Sequence, residues 1–255
     1  MTSASMSGFR PAALTFLRAL RKNNRREWFE AHRDTYEREI KAPLKAFAEE
    51  LDVRFATVAP EFVGDRFATV APEFVGDPKR SLFRIHRDIR FSKDKSPYKS
   101  HAALWIFHHA PGRGVGTTVD GGAGFYFHLE PGASMVAAGL WMPPRPKLQL
   151  VRDAIADDVD AWEAVVLARG FARRFGGLSD DDPGAVLKRL PRGYAPGHPA
   201  ERWLRFNSFT VSRALSDAEA LSPKVADLVM KEFTVMLPFV RWLNRAMGFL
   251  PRERR

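Results

Sequence analysis

The sequence predicts an α+β fold: an antiparallel sheet from the middle of the chain, packed against N-terminal and C-terminal helices. Three observations lead there. The first fifty residues repeat their apolar positions at helical spacing. The middle holds short aromatic runs joined by turn residues. The last third returns to helical stripes after one more alternating run.

The elements follow in order. Leu14, Leu17 and Leu20 mark a first amphipathic helix. In "NNRREWFEAHRDTYEREI", Trp28, His32, Tyr36 and Ile40 fall at four-residue steps, so the spacing predicts one continuous helix. Asn24 is its expected N-cap and Glu27 the capping partner three residues on. Pro43 opens a further helix with the stripe Leu44, Phe47 and Leu51. "HAALWIFHH" reads as a buried strand. "AGFYFHLE" alternates Phe125, Phe127 and Leu129 against Tyr126 and His128, and "SMVAAGLWM" follows the turn sequence "EPGA", which predicts a hairpin. Leu148, Val151, Ile155, Val159, Trp162 and Val166 form one helical stripe. "WLRFNSFTVSRAL" alternates as a strand that returns to the sheet. Ser216 and Glu219 form a second capping box. Val225, Leu228, Phe233, Met236 and Leu243 supply the inner face of a terminal helical region.

Composition fits this reading. The 255 residues are 45% hydrophobic and 27% charged, enough for one large domain, 1–255, with a substantial core. The absence of cysteine excludes disulfides, thiolate metal sites and cysteine nucleophiles. No apolar run approaches the roughly 18–20 residues of a membrane span, and no signal peptide is visible, so the expected setting is soluble and cytoplasmic, without a membrane partner. "RFATVAPEFVGD" stands twice in succession, at 54–65 and 66–77. Two copies of twelve residues build no solenoid. One copy is expected to be a loop insertion, which a surface tolerates at small entropic cost. "APGRGVGTTVDGGAG" leads into a strand rather than a helix, so it predicts a flexible loop and not a dinucleotide-binding turn. Residues 251–255 form a basic tail.

The charge is concentrated. The chain has 40 Lys and Arg against 30 Asp and Glu, and Lys79 to His101 holds eight basic and two acidic residues, a net +6 of the total +10. A field of this sign and focus favours anionic partners. Arg84, Arg87 and Arg90 stand three apart with Asp88 between them. The segment is expected to run extended as far as His86 and irregularly beyond. Lys93, Lys95 and Lys99, with Ser92, Ser96 and backbone N–H groups, have the donors to hold a phosphate. The alternative is a solvated connection in which Asp88 and Asp94 pair with their basic neighbours.

Taken together, "FLRALRKNNRREWFEAHRDTYE", "FRIHRDIRFSKDKSPYKSH", "FYFHLEPGASMVAAGLWMP" and "PRGYAPGHP" resemble the conserved-hypothetical bacterial family described as domain of unknown function 2461, from about Phe9 to Leu243. The resemblance implies a single soluble domain and no particular activity. Its motifs fall here on Asn23, Asn24, Trp28 and His32; on Arg84, Arg87, Asp88, Arg90, Phe91, Lys95, Pro97, Tyr98 and Lys99; and on Tyr126, His128 and Pro131. The chain departs from it at Ala195, Pro196 and Gly197, where acidic residues are usual, at Asn207, where lysine is frequent, and in the doubled twelve residues.

Three functions compete. The favoured one is binding of a phosphate-bearing or other anionic small molecule by Arg84, Arg87, Asp88, Arg90, Lys93, Lys95, Tyr98, Lys99 and Tyr126, with His128, Asp88 or Tyr98 as candidate proton carriers if chemistry follows. Nucleic-acid binding is the alternative, since aromatics interleave with the basic residues. The third is an interaction domain whose charges only pair. His32 is read as a core histidine on the Trp28/Tyr36 stripe, and Asn23 and Asn24 as caps. No cofactor is expected. A metal is not favoured: His108 and His109 point apart on a strand, and His86, His101 and His128 converge only if tertiary structure brings them together.

Overall fold

The computed structural model describes residues 8–56, 74–75, 81–90, 93–108 and 121–250. Most of the duplicated twelve residues, most of the glycine-rich stretch before the hairpin, Phe91, Ser92 and the basic tail lie outside them, and so does the expectation that one copy loops out.

The N-terminal helices are α1 (Pro11–Lys22), α2 (Arg26–Ala31), α3 (Arg33–Tyr36), a π-helical turn Glu37–Lys41 and α4 (Ala42–Ala56). Pro11 stands at the first turn of α1, where a missing N–H is harmless. Ala13, Leu14, Phe16, Leu17 and Leu20 turn inward from it. The helix expected along "NNRREWFEAHRDTYEREI" is broken at His32, whose φ of −118° leaves the helical region. The break changes which residues are buried. Phe29 is buried, whereas His32 is exposed, stacks on the Trp28 ring at 4.0 Å and bonds the Trp28 carbonyl through Nδ1. His32 is therefore a surface residue, not a core histidine. Asn24 does not cap the helix either. Arg25 occupies the N-cap with no side-chain bond, and the Asn24 carboxamide is used elsewhere.

The sheet has five antiparallel strands in sequential order: β1 (Phe74–Val75), β2 (Ala102–His108), β3 (Gly124–Leu129), β4 (Ser134–Leu140) and β5 (Phe209–Leu215). β1 pairs with Phe107 and His108 at one edge. The hairpin β3–β4 sets Phe125 against Ala138, Tyr126 against Ala137 and Phe127 against Val136. Between β4 and β5 lie α5 (Arg145–Asp157), α6 (Val159–Val166), α7 (Arg169–Phe175) and α8 (Glu201–Leu204). After β5 come α9 (Asp217–Ala220) and α10 (Val225–Ala246). The stripe from Leu148 to Val166 is two helices rather than one, because Asp158 leaves helical geometry and caps α6 by accepting from the Ala161 N–H. The run from Trp203 is a strand only from Phe209; its first residues close α8. The Ser216/Glu219 capping box is present at α9.

Alternation along the strands sorts the sheet into two faces. Leu104, Ile106, Phe125, Phe127, Val136, Val211 and Phe209 point to the helices and join one continuous core with α1, α4 and α10. Phe127 stacks on Phe9 at 5.7 Å and meets Phe47 edge-on at 4.8 Å, while Phe125 packs against Phe55 and Phe233. The other face carries Trp105, Tyr126, His128, Met135, Ala137, Thr210 and Ser212. No described helix is long and apolar enough to cross a membrane.

Candidate functional site

The second face of the sheet is where the chemistry gathers. A cavity of about 680 Å³ opens over it, floored by Trp105, Tyr126, His128, Met135, Ala137, Thr210 and Ser212. This is within the range of small-molecule sites, about 300–1,000 Å³. Phe83, Lys99 and His101 wall it on the β2 side. Trp141, Ser179, Asp181 and Asp182 wall it on the β5 side, where the Ser179 N–H bonds the Thr210 carbonyl and the Trp141 indole N–H donates to Asp182 at 3.2 Å.

Backbone demands shape the floor. Gly139 has φ +125°, and a Cβ there would meet the Phe209 carbonyl oxygen at 2.0 Å, so only glycine lets β4 and β5 close. At Gly124 a Cβ would meet the Trp105 indole at 2.8 Å; the missing side chain leaves room for that ring.

The basic segment forms one wall. Ser81–Arg87 runs extended beside Pro97–Trp105: Phe83 N–H bonds the Ala103 carbonyl, Trp105 N–H that of Ser81, Lys99 N–H that of Ile85 and Arg87 N–H that of Pro97. Isolated bridges join Leu82 to Leu104 and His86 to Tyr98, as expected of an extended run reaching His86. Asn24 pins the return. Its amide donates to the Tyr98 carbonyl at 2.8 Å and its oxygen accepts from the Tyr98 N–H at 3.0 Å. The Tyr98 ring is buried and stacked on Phe29 at 4.2 Å. Burial and the Glu30 carboxylate raise its phenol above the usual range.

This arrangement divides the residues that the sequence grouped. Lys99 and Tyr126 line the cavity. Arg84 is exposed and does not line the cavity; it lines a small crevice with Tyr36 and Lys41 that shares Phe83, Lys99 and His101 with the cavity. Arg87 is half-buried, ion-paired to Asp94 at 2.8 Å. Asp88 and Arg90 form an exposed pair at 2.7 Å, and the Arg90 guanidinium and backbone N–H hold the Asp88 carboxyl down to about 2. Asp88 is thus a surface carboxylate outside the cavity. Lys95 donates to the Ile89 carbonyl and Lys93 is exposed; neither lines the cavity. Asp94 and Arg87 do pair, as the solvated-connection reading expects.

Lys99 is different. It is half-buried, and its ammonium lies 5.3 Å from the Phe83 ring centre. Burial, and then the like charge of Arg87, lower its pKa. Among the described residues it makes no ion pair with a carboxylate.

Beside it stands a cluster that the sequence reading did not assemble. His101 stacks on His128 at 4.3 Å. His128 Nε2 lies 2.8 Å from a Glu130 carboxylate oxygen, and its Nδ1 lies 3.0 Å from the Tyr126 hydroxyl. Arg21 pairs with the other oxygen of Glu130. A carboxylate only accepts, so Nε2 donates to it, and in the neutral ring Nδ1 accepts from the Tyr126 O–H. Burial, with His128 alongside, pushes His101 down to about 4; burial lifts the Tyr126 phenol to about 12. Burial works against ionisation of Glu130, but its hydrogen bond from His128 and the charges around it outweigh that, and its pKa is lowered. Tyr126, His128 and Glu130 are two apart, and that spacing was the available signal. His101 has no counterpart in spacing; the fold alone brings it there.

Asn207, a position of departure, accepts from Arg152 at 3.0 Å and donates to the Gly184 carbonyl at 2.8 Å. It ties a loop and stands outside the cavity.

Among known proteins, residues 12–242 match the family model described as conserved hypothetical protein (DUF2461). No curated protein and no solved structure matches the chain.

Proposed function

The chain belongs to the DUF2461 family of conserved hypothetical proteins, and from that premise we propose that it binds a small organic anion, phosphate-bearing or carboxylate, in the cavity on the open face of its sheet. The observation that carries this reading is Lys99: a half-buried ammonium facing a cavity of about 680 Å³, with its pKa lowered by burial and by the like charge of Arg87, and with no ion pair to a carboxylate among the described residues. A buried cation without a counter-charge is costly, and a bound anion offsets that cost.

The ends of the cavity differ. Lys99 and His101 favour the anionic group. Trp105, Tyr126 and Met135 offer apolar and aromatic surface between. Ser179, Asp181 and Asp182 at the far end suit a hydroxyl or amino group. The ligand class is therefore an anion carrying a hydroxyl or amino function on a short skeleton. The wider basic segment contributes steering rather than contact, since Arg84, Arg90, Lys93 and Lys95 are exposed on the same stretch.

A melting screen of inorganic phosphate, sugar phosphates, nucleotides and hydroxy- and amino-carboxylates tests this. A ligand at a hundred times its Kd adds about 2.7 kcal/mol, which is about 5–10 °C for a chain of this size. Lys99→Met is expected to abolish the shift and, by removing the cost of an unpaired cation, to leave the ligand-free Tm equal or higher. A flat Tm across the whole panel in the wild type overturns the reading, as does a shift that Lys99→Met retains.

A further inference from the structure

We propose that His101, His128 and Glu130 form a binding site for one divalent transition-metal ion in the wall of the cavity. The three residues each offer one ligand atom, and these atoms lie within 4.8 Å of one another. An ion about 2.1 Å from each ligand atom needs those atoms about 3.0–3.4 Å apart. The 2.8 Å between His128 Nε2 and the Glu130 oxygen is a few tenths of an ångström short of this, and a small side-chain shift opens it. Rotation of the His101 ring, stacked against His128 and only half-buried, brings in the third atom.

The partners behind the cluster suit ligation. Arg21 holds the second oxygen of Glu130, which leaves the first for the ion. The Tyr126 hydroxyl sits at Nδ1 of His128. When an ion takes the Nε2 lone pair, the ring proton moves to Nδ1 and Tyr126 becomes its acceptor. A hydroxyl serves in either direction, so the tautomer change keeps the bond between Tyr126 and His128 and turns the Tyr126 O–H towards the cavity. Two imidazoles and one carboxylate favour zinc, iron, cobalt, nickel or manganese over calcium and magnesium, which prefer oxygen alone.

Three protein ligands leave coordination positions open, as catalytic rather than structural metal sites do. His101 and His128 both line the cavity, so those positions face it. The ion adds positive charge beside Lys99, on the side where the anionic end of a ligand is placed. In this respect the proposal deepens the cavity reading and rests on it for what the ion would contact; the ligation itself does not depend on it.

The experiment uses the full chain, stripped with a chelator and dialysed, and titrated with Co²⁺ alone, followed by Zn²⁺ competition. One equivalent is expected, with visible absorption from a nitrogen–oxygen site that Zn²⁺ abolishes. Tyr126→Phe is expected to weaken binding about 10–100-fold, the usual effect of removing such a supporting bond. His101→Ala and Glu130→Gln should weaken it further, and His32→Ala, at an exposed histidine elsewhere, should leave it unchanged. His128→Ala is informative only if circular dichroism shows the fold retained; His101→Ala and Glu130→Gln, at less buried positions, carry the test otherwise. Absence of stoichiometric binding to the wild type overturns the proposal, and so does binding that survives both of those variants. Lys99→Met separates the two readings, because it is expected to lose the anion and keep the metal. An anion shift in the stripped protein with no Co²⁺ binding sinks the metal site alone.

Discussion

The two faces of the sheet come from the same strands and do opposite work. On β3, Phe125, Phe127 and Leu129 are fully buried against helices, while Tyr126 and His128, one residue away in each case, face the cavity. The covered face is closed by aromatic packing from Phe9, Phe47, Phe55 and Phe233. Among the described residues no helix lies over the open face. Its walls are a basic segment at one side and an acidic segment at the other, held in place by backbone pairing and a few side-chain bonds. Burial on one face supplies the stability that lets polar groups on the other stay in positions that do not themselves stabilise.

The largest expected difference lies between neighbouring residues. Phe127→Ala removes a ring with no exposed surface and contacts to Phe9 and Phe47, and should destabilise by about 3–5 kcal/mol in denaturant unfolding. Tyr126→Phe removes one hydrogen bond and keeps the ring, for about 1 kcal/mol. Equal losses in both would mean that the two faces are not different in kind.

A smaller effect is expected where the open face is tied to the helices. Asn24→Ala leaves the Tyr98 N–H and carbonyl without their partner and should destabilise by about 1–3 kcal/mol. Faster hydrogen exchange of the Tyr98 amide is the local readout. Unchanged exchange there would show that the basic wall is held by its own strand pairing alone.

The smallest concerns a charge on the covered face. Arg213, opposite Val136, pairs with Glu219 and reaches Glu232 of α10. The Arg213 guanidinium, with the Ser216 backbone N–H, holds the Glu219 carboxyl down to about 2. A depressed carboxylate pKa means that its contribution is complete above the ordinary value near 4.5 and is lost as pH falls towards 2. Glu219→Gln keeps an oxygen for the Ser216 N–H and removes the charge that pairs with Arg213, so it should cost about 0.2–1 kcal/mol at neutral pH. It should also flatten this part of the acid dependence of Tm. An unaltered acid profile would show that the pair is screened and does not anchor this edge.

Much of this was legible in the letters, and the misses are specific. The assignment of β3 rested on alternation, that of β2 on a short apolar and aromatic run and that of β4 on the turn before it; all three signals are local and therefore readable. The breaks at His32 and Asp158 were not. Both lie within continuous helical periodicity, and the stripe continues across them because the same core is met from both sides. Asn24 has the spacing of a cap, yet it bonds a backbone 74 residues away. The net charge of the segment 79–101 was evident, but its division was not: Lys99 turns into the cavity, Tyr98 turns into the core, and Asp88 closes on Arg90 at the surface.

By itself, the sequence determined the α+β class, the two faces of the hairpin and the sign of the charge near them, because periodicity and composition act over a few neighbouring residues. Only the tertiary structure decided that His101 meets His128 and Glu130, and that Lys99 faces Asp181 and Asp182 across one cavity. Those meetings depend on the packing of distant segments against a common sheet, and no spacing along the chain records them.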